Sequence, residues 1–472
     1  MQTELLFGIA FWGFLLVYGL AMYVMAPQAR TLPAFFGGTD EQGRAAGEWP
    51  LMLSIFISWI FAKSVTNAAN LGQSLGWVGG LAYATYWLSI PLAGLVIYRL
   101  RTRYAATGLV QFLTSKYGRW AALAFSAAIL IRLYNEVWSN TAVVGGYYGP
   151  PGSGAFIGAA LLFTAATLFY SLKGGLRSSI FTDVIQAGLF VIFAAFALLL
   201  VVPQHGVGRL LSEGTFSLAG GVDLVLVAAL QALSYPFHDP VLTDRGFITQ
   251  ERRMLRAFIV AGVLGFVCIF GFSLVGVHAR LEGIAGGDNV PAAVAGALGL
   301  GALFVMSIVM ITAAGSTLDS TFSSVAKSIG RELPLLAGRE LDGRRAIRLG
   351  MVAMVLIAVL GNAPMIAGTD ILKATTVSGT MVMGLAPIFL LQRWVGGNGS
   401  ASAWSFHLSF WTGIALGVAL AAGWIPASWA IGTGKYKLLL GTNLYGLALC
   451  TLLFLAPEVL RRTARLRSLR PA

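Results

Sequence analysis

The chain has 472 residues, of which 57% are hydrophobic and only 11% are charged. A soluble globular domain carries about 25% charged residues, and the mean hydropathy of this chain is +0.78, which excludes a water-soluble fold. The net charge of +13 does not indicate nucleic-acid binding, because the Lys and Arg residues lie in short loops between apolar runs.

Apolar runs long enough to cross a bilayer core of about 30 Å recur along the whole chain. We predict an all-α polytopic membrane protein with about thirteen transmembrane helices, in which residues 1–472 form a single transmembrane domain. The predicted spans are roughly 5–26, 50–72, 78–98, 120–147, 155–172, 183–203, 222–243, 257–279, 301–328, 347–366, 371–392, 405–425 and 438–457.

The orientation follows from the loops, because Lys and Arg concentrate on the cytoplasmic side of membrane proteins. Most of the 32 Lys and Arg residues fall in alternate loops and in the C-terminal tail. We therefore predict a multi-pass protein of the cell (plasma or inner) membrane, with its N-terminus outside and its C-terminus in the cytoplasm.

Cysteine and histidine usage gives no sign of redox or metal chemistry. Cys268 and Cys450 lie in apolar runs without metal-binding spacing. The four histidines are scattered, with no pair at zinc or haem spacing on a shared helix. No nucleophile and base are paired either, so we expect neither a cofactor nor enzymatic activity.

Two spans are interrupted by polar or helix-breaking residues. The second reads SWIFAKSVTNAANLGQSLG, and the seventh reads ALQALSYPFHDPVLTDRG, with Pro236 and Pro240 in its middle. Proline removes a backbone donor, and unpaired backbone inside a membrane is tolerated only where it lines a cavity or is buried in protein. The alternative is two ordinary kinked helices.

The two interrupted spans stand five spans apart, which indicates an inverted five-plus-five repeat with solute and ion sites at the breaks. Spans 2–6, about 50–203, would form the first repeat. Spans 7–11, about 222–392, would form the second. Spans 1, 12 and 13 would be peripheral.

The string GGLRSSIFTDVIQ, residues 174–186, joins the fifth span to the sixth. It resembles the signature loop of the sodium:solute symporter family, which implies a leucine-transporter-like fold, alternating access and sodium symport. Thr182 or Asp183 can cap the helix that follows the glycine turn. The resemblance adds that Asp183 presents a carboxylate near a cytoplasmic ion exit.

The ninth span, MITAAGSTLDSTFSSVAKSIGRE, resembles the family segment that supplies half of a sodium site. The resemblance implies that the Ala313 carbonyl and the Ser316 and Thr317 hydroxyls bind the ion. These three residues share one helix face, and a hard cation prefers oxygen ligands. The other half would be backbone carbonyls near Phe61 and Ser64. The alternative is that small and hydroxyl residues pack helices closely.

Lys63 departs from the family pattern, because a buried ammonium at a helix break must be paired. It could neutralise Asp239 or Glu136, bind a carboxylate of the solute, or occupy the cation site in place of sodium. Arg132 and Glu136 stand four residues apart on the fourth span, where a self-satisfied pair is expected.

The seventh span resembles the Gln-Pro-x-x-x-x-Arg stretch of proline-type members of the family, with Asp239-Pro240 and Arg245 in the matching positions. An Asp in place of Gln puts a possible anion at the cavity and argues against simple transfer of a proline specificity. The candidate solute-binding residues are Lys63, Asn67, Trp87, Tyr235, His238 and Asp239.

The function expected from this resemblance is sodium-coupled symport of a small polar organic solute. An amino acid or similar zwitterion is preferred, because Lys63 and Asp239 offer both charges. The expected partners are the solute, sodium as the coupling ion and the lipid bilayer, without nucleic acid or an obligate protein partner. Two alternatives stay open: proton-coupled or uncoupled transport with Lys63 replacing sodium, and a symporter-like membrane sensor with a separate signalling partner.

Overall fold

A computed structural model describes residues 2–367 and 371–468, and every regular element in these ranges is a helix. Residues 1, 368–370 and 469–472 of the predicted 1–472 domain lie outside the described residues. The α-helices are α1 (Gln2–Met25), α2 (Leu32–Gly37), α3 (Glu48–Ser58), α4 (Ala62–Leu75), α5 (Trp77–Ala84), α6 (Ser89–Tyr104), α7 (Leu109–Tyr117), α8 (Arg119–Gly145), α9 (Gly154–His205), α10 (Val207–Leu210), α11 (Asp223–Ala232), α12 (Pro240–Thr243), α13 (Glu251–Leu281), α14 (Val290–Leu298), α15 (Leu300–Lys327), α16 (Leu333–Leu336), α17 (Gly343–Leu360), α18 (Ile371–Met381), α19 (Leu385–Leu390), α20 (Ala403–Ala421) and α21 (Lys437–Ser468).

Short helical turns connect several of these helices. Turns of the 3₁₀ type cover Thr85–Leu88, Tyr235–His238, Asp244–Phe247, Ala363–Ala367 and Ala427–Trp429, and wider π turns cover Leu218–Val222 and Ser328–Glu332. In the described part of the chain, nine helices are long and apolar enough to cross a membrane, and the bent α3–α4 pair makes a tenth candidate. Each predicted span overlaps helical residues, while the number thirteen stays a prediction because some spans consist of short pieces.

The second span is broken, as the sequence predicts. Helix α3 ends at Ser58, Phe61 is extended with φ −65° and ψ 140°, and α4 leaves at an angle of 56°. Helix α3 is strongly apolar, whereas α4 begins with the polar stretch that contains Lys63. The break therefore places the polar side chains of α4 in the protein interior, where Lys63, Ser64 and Asn67 are buried.

The seventh span is also broken, and its prolines account for the break. Helix α11 ends at Ala232, Pro236 lies in the turn Tyr235–His238, and Pro240 begins α12. Proline fits the first turn of a helix, where its missing N–H would have no partner in any case. The Asp239 side chain caps α12 by accepting a hydrogen bond from the Val241 N–H at 3.1 Å.

The two breaks meet in the interior of the protein. The Trp59 indole N–H, from the first break, donates to the Asp239 carboxylate of the second break at 3.0 Å. Helix α15 packs against α3, α4 and α9, so its hydroxyl-rich middle lies beside the breaks. This arrangement brings together residues that lie far apart along the chain.

Helix α9 covers both the fifth and the sixth predicted spans. Its 52 residues would extend about 78 Å as a straight helix, more than twice the thickness of a bilayer core. Gly175 interrupts it with φ 53° and ψ −135°. Thr182 and Asp183 lie inside α9, so the predicted capping role is wrong: the bend is made by the glycines, and the helix has resumed before these residues.

Gly175 is required by both its conformation and its surroundings. A Cβ at this position would lie 2.4 Å from the Phe35 carbonyl oxygen. We expect Gly175→Ala to cost about 1–3 kcal/mol, because an L side chain would occupy a strained backbone region and clash. The thermal unfolding midpoint of the purified protein measures this loss.

Gly188→Ala is the matched control, because Gly188 lies in the same helix with no atom within 4 Å of its would-be Cβ. Alanine favours a helix over glycine, so this variant should unfold at or above the wild-type temperature. An equal effect of the two substitutions would contradict the role assigned to the bend.

Candidate functional site

A small cavity of about 20 Å³ lies beside the two breaks, which is close to the space that one water molecule needs. Its lining is aromatic with one charged side chain, and consists of Trp59, Phe61, Lys63, Ser64, Tyr83, Tyr86, Trp87 and Tyr235. The lining side chains would have to move apart to admit an organic solute.

The aromatic rings of this lining contact one another mostly edge to face. Trp59 lies 6.0 Å from Trp87 and 6.1 Å from Tyr235 between ring centroids, and Tyr86 lies 5.9 Å from Tyr235. Such pairs are favourable, and together they offer a broad apolar surface with a few polar edges. The rings come from the first break, the start of the third span and the second break, so any rearrangement of either break changes the cavity.

A charge quartet of two cations and two carboxylates lies next to the cavity: Lys63, Arg132, Glu136 and Asp239. The Lys63 ammonium donates to Glu136 at 2.6 Å and to Ser139 at 3.0 Å. Arg132 contacts Glu136 and donates to Asp239 at 3.1 Å. The sequence left Asp239, Glu136 and a carboxylate of the solute as possible partners of Lys63. The structure shows Lys63 paired with Glu136.

A second buried group, the carboxylate cluster, consists of Asp183, Asp319 and Arg245 with the hydroxyl groups around them. Arg245 donates to Asp183 at 2.8 Å. Asp183 also accepts hydrogen bonds at 2.5 Å from the hydroxyls of Ser54 and Ser316. Asp319 accepts hydrogen bonds from the hydroxyls of Ser179 at 2.8 Å, Thr182 at 2.9 Å and Ser320 at 3.3 Å.

The charges of these two groups do not cancel. The quartet is neutral when ionised, whereas the carboxylate cluster holds two carboxylates and one guanidinium. All seven charged side chains are at most 3% exposed. An uncompensated buried charge is costly, so the carboxylate cluster is suited to bind one additional cation or proton.

The hydroxyl-bearing face of α15 meets the end of α3 at this cluster. The Thr317 hydroxyl lies 3.4 Å from the Ser58 carbonyl oxygen and 3.1 Å from the Ala313 carbonyl oxygen. Ser316, its neighbour in sequence, donates to Asp183. The last carbonyls of a helix have no partner within the helix and carry its partial negative charge. Oxygen atoms of four kinds thus lie in or against this stretch of α15: helix-end carbonyl, helix carbonyl, hydroxyl and carboxylate.

Phe61 and Ser64 are the sodium ligands predicted at the first break. Their described hydrogen bonds do not involve the predicted ligands of α15. The Phe61 carbonyl accepts backbone hydrogen bonds from Ser64 at 2.8 Å and Val65 at 3.1 Å. The Ser64 hydroxyl lies 3.3 Å from the Tyr83 hydroxyl, on the cavity wall. Among the described hydrogen bonds, the contact from this break to Thr317 is made by Ser58, three residues before Phe61.

The predicted solute-binding residues divide into two sets. Lys63, Trp87 and Tyr235 line the cavity. Asn67 lies behind the wall and donates to the Tyr83 hydroxyl at 3.1 Å. His238 and Asp239 are not among the residues that line the cavity. The His238 Nδ1 atom lies 2.6 Å from the Tyr235 carbonyl oxygen, and Asp239 binds Trp59 and Arg132.

Several residues of the site escaped the sequence analysis. Trp59, Tyr83 and Tyr86 form much of the cavity wall, Ser58 presents its carbonyl, and Asp319 belongs to the carboxylate cluster. Asp319 stands within the motif of the ninth span, so its position beside two predicted ligands was a usable signal. The aromatic residues beside a predicted break were a second usable signal in the sequence.

No protein-family model matches this chain. A region of 192 residues is 23% identical to the mouse (Mus musculus) sodium-coupled monocarboxylate transporter 1. This region covers 38% of the chain and 31% of the mouse protein, so the match spans about a third of the relative's length.

Solved structures of transporters match the fold over nearly its whole length. A Na⁺-coupled sialic acid symporter in a substrate-bound outward-open state aligns with a TM-score of 0.75 at 14% identity, over 96% of this chain and 98% of that chain. Mhp1, a nucleobase-cation-symport-1 family transporter in a closed conformation with bromovinylhydantoin bound, aligns with a TM-score of 0.56 at 14% identity, over 92% of this chain and 95% of that one. The fold is leucine-transporter-like, and both comparisons agree with the resemblance to the sodium:solute symporter family that the motifs indicate.

The quartet predicts that removal of either charge of the Lys63–Glu136 pair destabilises the protein. Glu136→Gln leaves Lys63 and Arg132 buried with one carboxylate between them, and losing a buried charge partner costs about 3–5 kcal/mol. Lys63→Met leaves two buried carboxylates with one guanidinium, so we expect a loss of similar size. Thermal unfolding of the purified variants measures both effects.

Ser139→Ala is the control, since it removes one neutral acceptor from Lys63 and leaves the charges unchanged. The double variant Lys63→Met/Glu136→Gln should be more stable than Glu136→Gln alone. A double variant that is no more stable than either single variant would contradict the charge assignment.

Proposed function

We propose that this protein is a sodium-coupled symporter of a small organic solute that carries a carboxylate, and that it works by alternating access. The observation that carries the proposal is the meeting of the Ser58 carbonyl with the hydroxyl face of α15, beside a buried cluster with one carboxylate in excess. The proposed location is the cell membrane, with the N-terminus outside and the C-terminus in the cytoplasm.

The proposed sodium ligands are the carbonyl oxygens of Ser58 and Ala313 and the hydroxyls of Ser316 and Thr317. The Phe61 carbonyl is a weaker candidate, because both of its lone pairs already accept backbone hydrogen bonds, from Ser64 and Val65. Sodium is a hard cation and prefers such neutral and anionic oxygens. Asp183, which accepts a hydrogen bond from Ser316, would add negative charge to the ion site. Its carboxylate would lie near the exit of the ion towards the cytoplasm.

The excess negative charge supports a monovalent cation as the coupling ion. One Na⁺ beside the carboxylate cluster would make the buried charges balance. Lys63 is poorly placed to replace it, because its ammonium is engaged by Glu136 and Ser139 on α8. These contacts therefore do not support the alternative in which Lys63 replaces sodium.

The broken second span would couple ion and solute. Ser58 at the end of α3 faces the ion ligands, while Trp59 and Lys63 line the solute cavity. Sodium bound at Ser58 would fix the end of α3 and so order the cavity wall that follows it. Ion and solute would then stabilise each other's binding reciprocally, with spans 2–6 and 7–11 as the two proposed repeats.

The cavity favours a carboxylate on the solute. Among the described residues that line it, Lys63 is the charged one, and its ammonium has three N–H donors for the two acceptors Glu136 and Ser139. The Trp87 indole N–H has no acceptor in the described part of the chain. A carboxylate would satisfy such donors, while the aromatic rings would contact the apolar body of the solute.

The names of the matched symporters also point to acids, since one takes monocarboxylates and the other sialic acid. An amino acid or similar zwitterion fits the proposal as well, because it carries a carboxylate. Asp239 contributes less to that preference than the sequence indicates, since its carboxylate is already bound by Trp59, Arg132 and the Val241 N–H.

The ion site is tested by removing hydroxyls from α15. Ser316→Ala and Thr317→Ala should each raise the sodium concentration for half-maximal uptake about tenfold or more, since a hydrogen bond to a charged group contributes about 1.5–3 kcal/mol. Uptake of labelled solute into proteoliposomes, as a function of external sodium, measures this effect.

Thr321→Ala is the matched control, because the Thr321 hydroxyl is buried in the same helix and its one hydrogen bond within the described residues goes to the Thr317 carbonyl, at 2.8 Å. Its sodium dependence should be that of the wild type. Sodium-stimulated uptake that survives in Ser316→Ala and Thr317→Ala would refute the ligand assignment.

Proton coupling is the second candidate, since a proton on Asp183 or Asp319 would also remove the excess charge. A sodium gradient and a pH gradient, applied separately to the same proteoliposomes, distinguish the two. Uptake driven by the pH gradient alone, without a sodium requirement, would favour the proton. The sensor alternative would gain support from solute binding without any flux.

The solute class is tested by thermal stabilisation of the purified protein in sodium. We expect carboxylate-bearing compounds to raise the unfolding temperature and amines or uncharged sugars to leave it unchanged. Lys63→Met should lose this response while Lys63→Arg retains part of it. Stabilisation by sugars or amines but by no carboxylate would contradict the proposed class.

A further inference from the structure

Two histidines and a glutamate meet where α9 and α13 end. His205 is the last residue of α9, His278 lies in the last turn of α13, and Glu282 follows that helix. The two histidines are 73 residues apart in sequence and lie on different helices, so spacing along a shared helix could not indicate that they meet. In the predicted orientation this cluster faces the outside.

The side chains of this His-His-Glu cluster converge on a small volume. The His205 Nε2 atom lies 3.1 Å from His278 Nδ1 and 3.2 Å from Glu282 Oε1. All three atoms lie within 4.8 Å of one another. Tetrahedral zinc with ligands at about 2.0–2.1 Å requires about 3.3 Å between neighbouring ligand atoms. The spacing from His205 to its two neighbours is thus close to that of a zinc site.

Hydrogen bonding alone does not account for both contacts of His205. Its Nε2 atom either donates one hydrogen or accepts one through its single lone pair. His278 and Glu282 compete for this one atom, so any single protonation state fills one of the contacts and leaves the other without a full hydrogen bond. A metal ion would bind all three atoms through their lone pairs.

The nearby arginines do not neutralise Glu282. Arg280, which lies between His278 and Glu282 in sequence, is 3.6 Å from Glu213 and donates to the carbonyls of Gln73 and Ser74. Arg209 is paired with Glu213 at 3.0 Å. In the described part of the chain, both arginines thus pair with Glu213, and the ion-pair contact of Glu282 is with His205.

Packing fixes the cluster on one side, and water reaches it on the other. Leu210, Leu274 and Val277 form a small apolar cluster beneath it, which joins the segment after α9 to α13. His278 is 1% exposed, whereas the side chains of His205 and Glu282 are 18% and 47% exposed. A metal ion can therefore enter from the aqueous side, and a fourth position stays open for water.

We propose that His205, His278 and Glu282 form a Zn²⁺ site that ties the end of α9 to the end of α13. Imidazole and carboxylate ligands suit zinc, and three protein ligands with one open position are common in zinc sites that keep a water. Because α9 belongs to the first predicted repeat and α13 to the second, bound zinc would act as a clamp between them.

Zinc binding is tested on the purified chain after removal of any affinity tag. Isothermal titration should give one Zn²⁺ per chain, with thermal stabilisation that a chelator reverses and that Mg²⁺ does not reproduce. His205→Ala and Glu282→Gln should each weaken binding at least about tenfold. Both side chains are partly exposed, so these variants should fold even if replacement of the buried His278 does not succeed.

His407→Ala is the matched control, since it removes a histidine on α20 that is outside the cluster. It should bind zinc like the wild type. Absence of binding below millimolar zinc, or binding that is unchanged in His205→Ala and Glu282→Gln, would overturn the site. Solute uptake that continues at the wild-type rate with zinc bound would overturn the clamp.

Discussion

A helix that ends inside the membrane is the constraint on which the rest of this structure depends. The bilayer offers no water to the carbonyls at the end of α3, so protein groups or a ligand must bind them. Thr317 reaches the Ser58 carbonyl, and Asp239 of the second break binds the Trp59 indole. The two breaks thus stabilise each other, and the polar groups that satisfy them also form the proposed site.

The division of buried charge separates two tasks. The quartet around Lys63 is neutral and lies next to the aromatic cavity, so it can hold an ammonium at the solute without a net penalty. The carboxylate cluster around Asp183 holds two carboxyl groups and one guanidinium, so it has one negative charge in excess when both carboxyl groups are ionised, and it lies next to the α15 hydroxyls. If the cation lay beside Lys63 instead, a proton on Asp183 or Asp319 would have to remove this excess.

The sequence predicts the fold well because hydropathy, proline and glycine act locally. The spans, both breaks and the hydroxyl face of α15 follow from such signals. The proposed Ser58 ligand does not follow from the sequence, because a backbone carbonyl can bind an ion whatever side chain the residue carries. The capping role of Thr182 and Asp183 was wrong, because Gly175 alone interrupts α9. The pairing of Lys63 with Glu136 and the meeting of His205 with His278 join residues 73 positions apart, which no local pattern reports.

Equilibrium binding of radioactive sodium to the purified protein tests the central claim most directly. If the excess buried charge is balanced by a coupling ion, the wild type should bind sodium saturably, solute should tighten that binding, and Asp319→Asn should weaken it. Absence of saturable sodium binding, together with proton uptake when solute is added, would contradict the account.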